Sequence, residues 1–188
     1  LVRSFNRPGG NITGLAWDHG FETNLKSLEL LKESLPKLRR VALMWDIPDP
    51  VHGVYLRYYE KAAPHLGLQI VSAGVGSAAD LEPAFAKMRK EKAEALVVLP
   101  SAQLTVPHRK TIMALASSNR IPTLIGIVGF NFPDALFQFG PNLAEMPRRA
   151  ASFVDRILKG ANPGDLPIEQ PNKYDLIVDL KVARELGI

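Results

Sequence analysis

Four short segments hold the polar and aromatic side chains best suited to ligand chemistry. They are Trp45-Asp46-Ile47-Pro48-Asp49, Ala73-Gly74-Val75-Gly76, Pro100-Ser101-Ala102-Gln103 and Gly126-Ile127-Val128-Gly129-Phe130. In the first, Trp45 offers a flat face to an apolar or planar group, and Asp46 offers an acceptor to an ammonium. Each reading has a structural alternative. Trp45 could instead close the core beneath a strand end, and Asp49 suits the N-cap of a helix that opens on Pro50. Asp46 has no such evident duty. Pro100 ends an apolar run; Ser101 and Gln103 just after it could bind a carboxylate together with free amides at a helix start, or could simply cap that helix. Gly126, Gly129 and Phe130 read as a flexible loop with one aromatic, which is either a cleft wall or core.

Catalytic and cofactor chemistry reads less well. Gly74-Val75-Gly76 follows a strand, as a dinucleotide fingerprint would, but its third glycine position is Ala79 and the strand is the second of the unit. Turn glycines ahead of a capped helix explain it. The histidines His19, His52, His65 and His108 have no metal-ligand spacing, and neither a nucleophile elbow nor a phosphate-binding loop is present. Asp46 and Asp49, three apart in one loop, do not establish the opposed carboxylates of a glycosidase. The absence of cysteine excludes disulfides, thiolate catalysis and cysteine-ligated metal sites. The expectation is a protein that is not an enzyme, with no cofactor and no metal.

The elements that must position these segments follow from periodicity. Leu25, Leu28, Leu31 and Leu35 mark a helix over 22–35, stopped by Pro36. Val41–Trp45 is short and apolar, as a strand buried on both faces is. A helix runs from Pro50 to about Leu66, with Gly67 fit for the left-handed end position and Pro64 able to shorten it. Leu68–Ser72 is a second strand. Ser77 and Asp80 form a capping-box pattern opening a helix to about Lys92. Strand 95–99, helix 106–119, strands 121–125 and 135–139, helix 142–159, linker 160–164, strand 174–178 and helix 180–186 complete the order. Strands alternating with helices imply a Rossmann-like α/β fold, a parallel sheet covered by helices on both faces. In such a sheet ligands bind beyond the carboxyl ends of the strands, which is where the four segments fall. Residues 1–14 and 165–188 do not continue the alternation and are expected to leave that sheet, as crossings to another lobe do.

A chain of 188 residues, 46% hydrophobic and 22% charged, has a globular composition. No apolar run is long enough to span a bilayer. The net charge of +4 is spread among glutamates, as in Lys87–Lys92, so no nucleic-acid partner is expected. The chain opens without Met on Leu1–Asn6, which reads as the tail of something already folded, and Arg7-Pro8-Gly9-Gly10-Asn11-Ile12-Thr13-Gly14 reads as a hinge. The expectation is the second part of a larger two-lobed protein.

Arg7–Gly14, Leu28–Glu33, Val41–Trp45, Phe139-Gly140-Pro141-Asn142 and Ile157–Gly160 through Leu166–Pro171 resemble the substrate-binding proteins of ABC transporters in the tryptophan/tyrosine-receptor-like family. The similarity runs along essentially the whole chain. It implies a type I periplasmic binding fold, in which two lobes close on a small molecule. Residues 1–14 would end the N-terminal lobe and form a hinge, 15–140 the C-terminal lobe, 141–164 a return helix and linker, and 165–188 a segment completing the N-terminal lobe. Hinge positions would be Gly10, Thr13, Gly14, Gly140, Pro141 and Asn142. Ligand contacts would come from Trp45, Asp46, Asp49, Pro100, Ser101, Gln103, Gly126, Gly129 and Phe130. Two departures bear on the ligand. Family members often carry an aromatic followed by Asn and Pro where this chain has Trp45-Asp46-Ile47. Its aromatic-amino-acid receptors place a Thr-Asp type pair where this chain has Ser101-Ala102-Gln103. An acid at 46 points to an amine-bearing ligand, and tryptophan is not required.

The resemblance implies a periplasmic or otherwise extracytoplasmic receptor, membrane-anchored as a lipoprotein in some settings, that passes an amino acid or related amine or aromatic compound to an ABC permease. A homodimer of the lone lobe is a further expectation, from its exposed cleft face. The alternative is the effector-binding domain of a transcription regulator, which uses the same fold and would need a helix-turn-helix upstream.

Overall fold

The computed structural model describes residues 2–16, 21–130, 132–171 and 173–188. Leu1 and His19 lie outside them. Among the described residues the helices and strands are α1 (Phe21–Ser34), β1 (Arg40–Asp46), α2 (Pro50–Ala62), β2 (Gln69–Val75), α3 (Leu81–Lys90), β3 (Ala95–Val98), α4 (Arg109–Ser118), β4 (Thr123–Ile125), β5 (Phe137–Pro141), α5 (Met146–Leu158), β6 (Tyr174–Val178) and α6 (Leu180–Leu186).

Local chemistry explains most boundaries. Asp49 accepts from the Val51 amide at 2.9 Å and Pro50 opens α2, satisfying a donor that the first turn leaves orphaned. Before Pro64 the helix tightens into a single 3₁₀ turn, Ala63–Leu66, and Gly67 ends it in the left-handed region at φ 66°. The Ser77–Asp80 capping box forms in both directions, as the sequence pattern predicts, although it opens a 3₁₀ turn that then leads into α3. α4 begins later than the expected residue 106. Ser101 and Thr105 side chains hydrogen-bond the local backbone over 99–105, which holds turns where helix could have started.

The strand order is β2-β1-β3-β4-β5-β6, parallel from β2 to β5. Alternating side chains of each strand build two cores. Ala42, Met44, Leu96 and Val98 meet Phe85, Met88, Ile112 and Met113 of α3 and α4. Val41, Leu43, Val97 and Leu124 meet Leu28 and Leu31 of α1 and Tyr59 of α2 on the other face. Burying each large apolar side chain contributes about 1.5–3 kcal/mol, so these two layers fix the sheet and hence the loops at its carboxyl edge.

One expectation is corrected. Residues 165–188 were expected to leave the sheet, yet β6 pairs antiparallel with β5 from Phe137↔Val178 to Pro141↔Tyr174. Val182 of α6 is buried in the same core as Leu28 and Leu31. An antiparallel partner needs no crossover helix, so it can join the edge of a parallel sheet without continuing the strand–helix alternation. Residues 2–16 and 163–171, by contrast, pair with each other. Gly9 N donates to Gly164 O at 2.9 Å, Ile168 N to Phe5 O at 2.7 Å, Glu169 N to Gly14 O at 3.0 Å and Ala16 N to Glu169 O at 2.8 Å. Beside them α5 buries Phe153 but leaves Val154 56% and Leu158 82% exposed.

Candidate functional site

In this strand order the chain steps from β1 to β2 on one side and then crosses back to β3 on the other, so the crevice expected of a doubly wound sheet opens between the carboxyl ends of β1 and β3. Two depressions occupy that edge. One, of about 380 Å³, is lined by Asp49, Pro100, Ser101, Gln103, Val106, Phe130 and Leu143 among others. The other, of about 580 Å³, lies toward β2 and is lined by Asp46, Asp49, Ser77, Gln103 and His108 among others. Asp49 and Gln103 line both, and so stand on the divide between them.

The floor of this crevice is a buried hydrogen-bond network. Asp46, the last residue of β1, is 3% exposed, and Ser101 is 4% exposed. The Ser101 hydroxyl donates to Asp46 Oδ2 at 2.5 Å and accepts from the Leu104 amide at 3.2 Å. The Ser101 amide donates to Thr105 Oγ1, whose own proton is shared between the Leu99 and Ser101 carbonyls. His52, buried in the first turn of α2, accepts from the Asp46 amide through Nδ1 at 2.9 Å. Its Nε2 stands 3.7 Å from Asp49 Oδ2. Burial pushes the His52 ring below the ordinary histidine range, against the pull of Asp49 and Asp46. A buried network with every member satisfied rigidifies what it joins; here it joins the β1 and β3 loops.

The nine expected contact residues separate. Asp49, Pro100, Ser101, Gln103 and Phe130 come together around the first depression, and Asp46 lies beneath the second. Phe130 is 37% exposed, an aromatic face open at the wall. Trp45, Gly126 and Gly129 line neither. The Trp45 ring lies on Gly74 of β2, where a Cβ would sit 2.9 Å from it, and its indole N–H donates to Ser72 Oγ at 3.0 Å. Gly74 is thus a strand residue under an indole, not a turn glycine; only Gly76 serves the turn, donating its amide to Asp80 at 3.0 Å. That amide, with the Ser77 hydroxyl and amide, holds the Asp80 carboxyl below the usual carboxylate range. Gly126 makes room for Pro100, 3.3 Å from where its Cβ would be. Gly129, at φ 104°, lets the loop reach the backbone of Leu143 and Ala144. Ser77, Val106, His108 and Leu143 line the crevice without having been expected there. Metal-ligand spacing carries no signal for His52, which binds backbone and, among the described residues, belongs to no metal-holding cluster. Its place in the first turn after a strand end was the signal that could have found it.

The residues expected to form a hinge lie at the end of β5 and on segment 2–16, which pairs with 163–171. Thr13 Oγ1 donates to the Leu166 carbonyl at 2.7 Å. Gly10 lies against Gly164, whose Cβ would be 2.6 Å from the Gly10 carbonyl oxygen, and Gly14 takes φ 144°. Gly140 approaches the Gly126 carbonyl, 2.7 Å from where its Cβ would be. Asn142 Nδ2 donates to Asp175 at 3.0 Å, which, with Lys173 nearby, depresses that carboxyl. Leu15, Pro141, Asn142, Arg149 and Glu169 line a small gap of about 60 Å³, and Arg149 and Glu169 form an ion pair there. The segments on either side of the expected lobe therefore run side by side. No helix among the described residues is long and apolar enough to cross a membrane, and among them no cluster of His, Asp and Glu is arranged to hold a metal ion.

Comparison with known proteins agrees with this architecture. The family model described as ABC transporter substrate binding protein matches residues 1–188. A tyrosine-binding protein of Clostridioides difficile is 22% identical over 188 residues, all of this chain and 53% of the relative. A crystal structure of an ABC domain in complex with L-Trp from Streptococcus pneumoniae superposes with a TM-score of 0.84 at 21% identity, covering 100% of this chain and 64% of that one. A conserved domain protein from Vibrio cholerae superposes at 0.85 with 23% identity, covering 100% and 62%. A sugar-binding protein of a Bacillus halodurans sugar ABC transporter shares the fold more distantly, with a TM-score of 0.64 and 8% identity over 87% of this chain and 63% of that one. The chain spans about half the length of the curated relative it matches. With a family model matched along its whole length and this carboxyl-edge crevice, the chain belongs to the ABC transporter substrate-binding proteins.

Proposed function

We propose that this chain supplies one wall of a ligand cleft in a receptor that captures an amino acid, or a related amine or aromatic compound, and delivers it to a membrane permease. The observation that carries the reading is the crevice at the β1/β3 switch point, with an open aromatic, Phe130, an acid, Asp49, and an amide, Gln103, over a rigid polar floor. Phe130 would meet a planar or apolar part of the ligand, and Asp49 or Gln103 its amine. Asp46 supports the site from below, because its Oδ2 is held by Ser101. The L-Trp complex and the tyrosine-binding relative favour an aromatic amino acid.

The two-lobed arrangement belongs to the same proposal. Residues 2–16 and 163–171 pair with each other, and α5 presents Val154 and Leu158 to solvent, so a second lobe would cover this side. Alone, the chain would pair with a second copy through its exposed cleft face. Closure of two lobes over the ligand is then the working motion, with contacts from both favouring the closed state. Action outside the cytoplasm, an import direction and a lipid anchor come with the receptor reading. The regulator alternative has no observation in its favour.

A thermal-shift screen against amino acids, amines and aromatic acids tests the proposal. A ligand at 100 times its Kd adds about 2.7 kcal/mol to stability. A saturable shift with L-tyrosine or L-tryptophan that Phe130→Ala and Gln103→Ala abolish is expected; with sugars added to the panel, shifts with sugars alone would overturn the ligand class.

A further inference from the structure

We propose that His52 is a positioning residue of the cleft, a clamp whose neutral ring holds the end of β1 beside the β3 loop and whose protonation breaks that hold. The inference rests on the cleft reading above for its effect on ligand, but the clamp itself stands on geometry. Nδ1 accepts from the Asp46 amide at 2.9 Å, so that nitrogen carries no proton in this arrangement. The Nε2 side of the ring faces Asp49, whose Oδ2 is 3.7 Å away, and the Pro100 backbone beside the ring favours its protonated form. One buried imidazole therefore accepts from the last residue of β1 and lies beside Pro100, two residues past the end of β3. Those are the two loops that also meet through Ser101 and Asp46. Only a ring with no proton on Nδ1 can accept from the Asp46 amide.

Protonation puts a hydrogen on Nδ1, facing the N–H of Asp46. Two donors then oppose each other inside a buried site, and the β1 loop must move or the ring must turn. The charged groups facing His52 are Asp49, at the start of its own helix, and Asp46, at the end of β1; both favour the cation. His108 lines the depression beside Asp46 from the α4 side. Burial outweighs the two carboxylates, so the ring stays neutral at ordinary pH and titrates on the acid side of a free histidine. Asp49 and Ser101, which line the crevice, sit on the segments beside the ring. Acidification would loosen the wall of the cleft while the sheet beneath stays folded, and bound ligand would leave more readily at low pH.

The test has two arms on the whole chain. In the first, the imidazole nitrogens of ¹⁵N-labelled protein are followed by NMR as pH is lowered, together with the amides of Asp46 and Ser101. The expected result is an unprotonated Nδ1 at neutral pH, and Asp46 and Ser101 amides that move with the His52 titration. A protonated Nδ1 at neutral pH, or amides indifferent to the ring, would overturn the clamp. In the second, L-tyrosine and L-tryptophan are titrated at neutral pH and below the His52 midpoint. Affinity should fall at least about fivefold on acidification, the factor carried by one lost hydrogen bond. His52→Asn, which keeps an acceptor and cannot titrate, should bind with little pH dependence; an unchanged pH profile in that variant would overturn the assignment. If neither amino acid binds at any pH while the amides follow the ring, the clamp is supported and the cleft reading has failed instead.

Discussion

Ser101→Ala isolates the buried contact that joins the two loops of the crevice. The substitution removes a hydroxyl that donates to Asp46 Oδ2 at 2.5 Å and accepts from the Leu104 amide at 3.2 Å. A hydrogen bond to a charged group contributes about 1.5–3 kcal/mol and a neutral one about 1 kcal/mol. The loss should therefore total about 2.5–4 kcal/mol, because Asp46 is too buried for water to replace the hydroxyl. For a domain of this length each kcal/mol moves Tm by about 2–4 °C, so a drop of about 5–15 °C is expected. Asp46→Ala removes the carboxylate along with its need for a partner. The double variant should then cost about 1–2 kcal/mol less than the two single losses added together. Urea denaturation of the four proteins gives the cycle directly. A Ser101→Ala protein melting within about 1 °C of the parent, or strictly additive losses, would refute the claim that this hydrogen bond holds the floor.

Other substitutions probe neighbouring parts. Gly140→Ala places a Cβ 2.7 Å from the Gly126 carbonyl oxygen and should cost about 1–3 kcal/mol by overpacking, read as a lower urea midpoint. Asp49→Ala loses the α2 N-cap and should cost about 1 kcal/mol, while also weakening binding in the thermal-shift screen. Arg149→Ala breaks an ion pair whose members are 60% and 34% exposed, so the stability change should stay under about 1 kcal/mol. The His52 contribution to stability has a definite sign. A histidine depressed by folding favours the native state fully above the free-histidine range near pH 6.5, and that favour is lost as pH falls through its lower folded value. Denaturation midpoints of the parent should thus fall faster with acidification than those of His52→Asn.

What was legible in the sequence was local. The Asp49 cap, the Ser77–Asp80 box and the Gly67 end position each act within a few residues, so their residue types suffice to place them. The apolar runs at 41–45 and 95–99 marked the two central strands between which the crevice opens, and five of nine expected contacts gathered at its first depression. The failures were non-local. Asp46 looked free because its partner, Ser101, is 55 residues away. Trp45 could be read either as a cleft face or as a cover beneath the strand end, because the glycine that receives its ring lies on the next strand. β6 was assigned elsewhere because an antiparallel edge strand leaves no trace in a strand–helix alternation. Backbone hydrogen bonds of Ser101 and Thr105 delayed α4, which periodicity alone could not show.

The crevice itself can be tested most directly by titrating ¹⁵N-labelled chain with L-tyrosine and L-tryptophan and mapping which amides shift. NMR detects weak binding, so one wall of a cleft is enough to give a signal. Shifts concentrated at 46–52, 100–106 and 126–130, saturable and lost in Phe130→Ala, are predicted. Shifts confined to the α3–α4 side, or none at millimolar ligand, would contradict a ligand cleft at the β1/β3 edge.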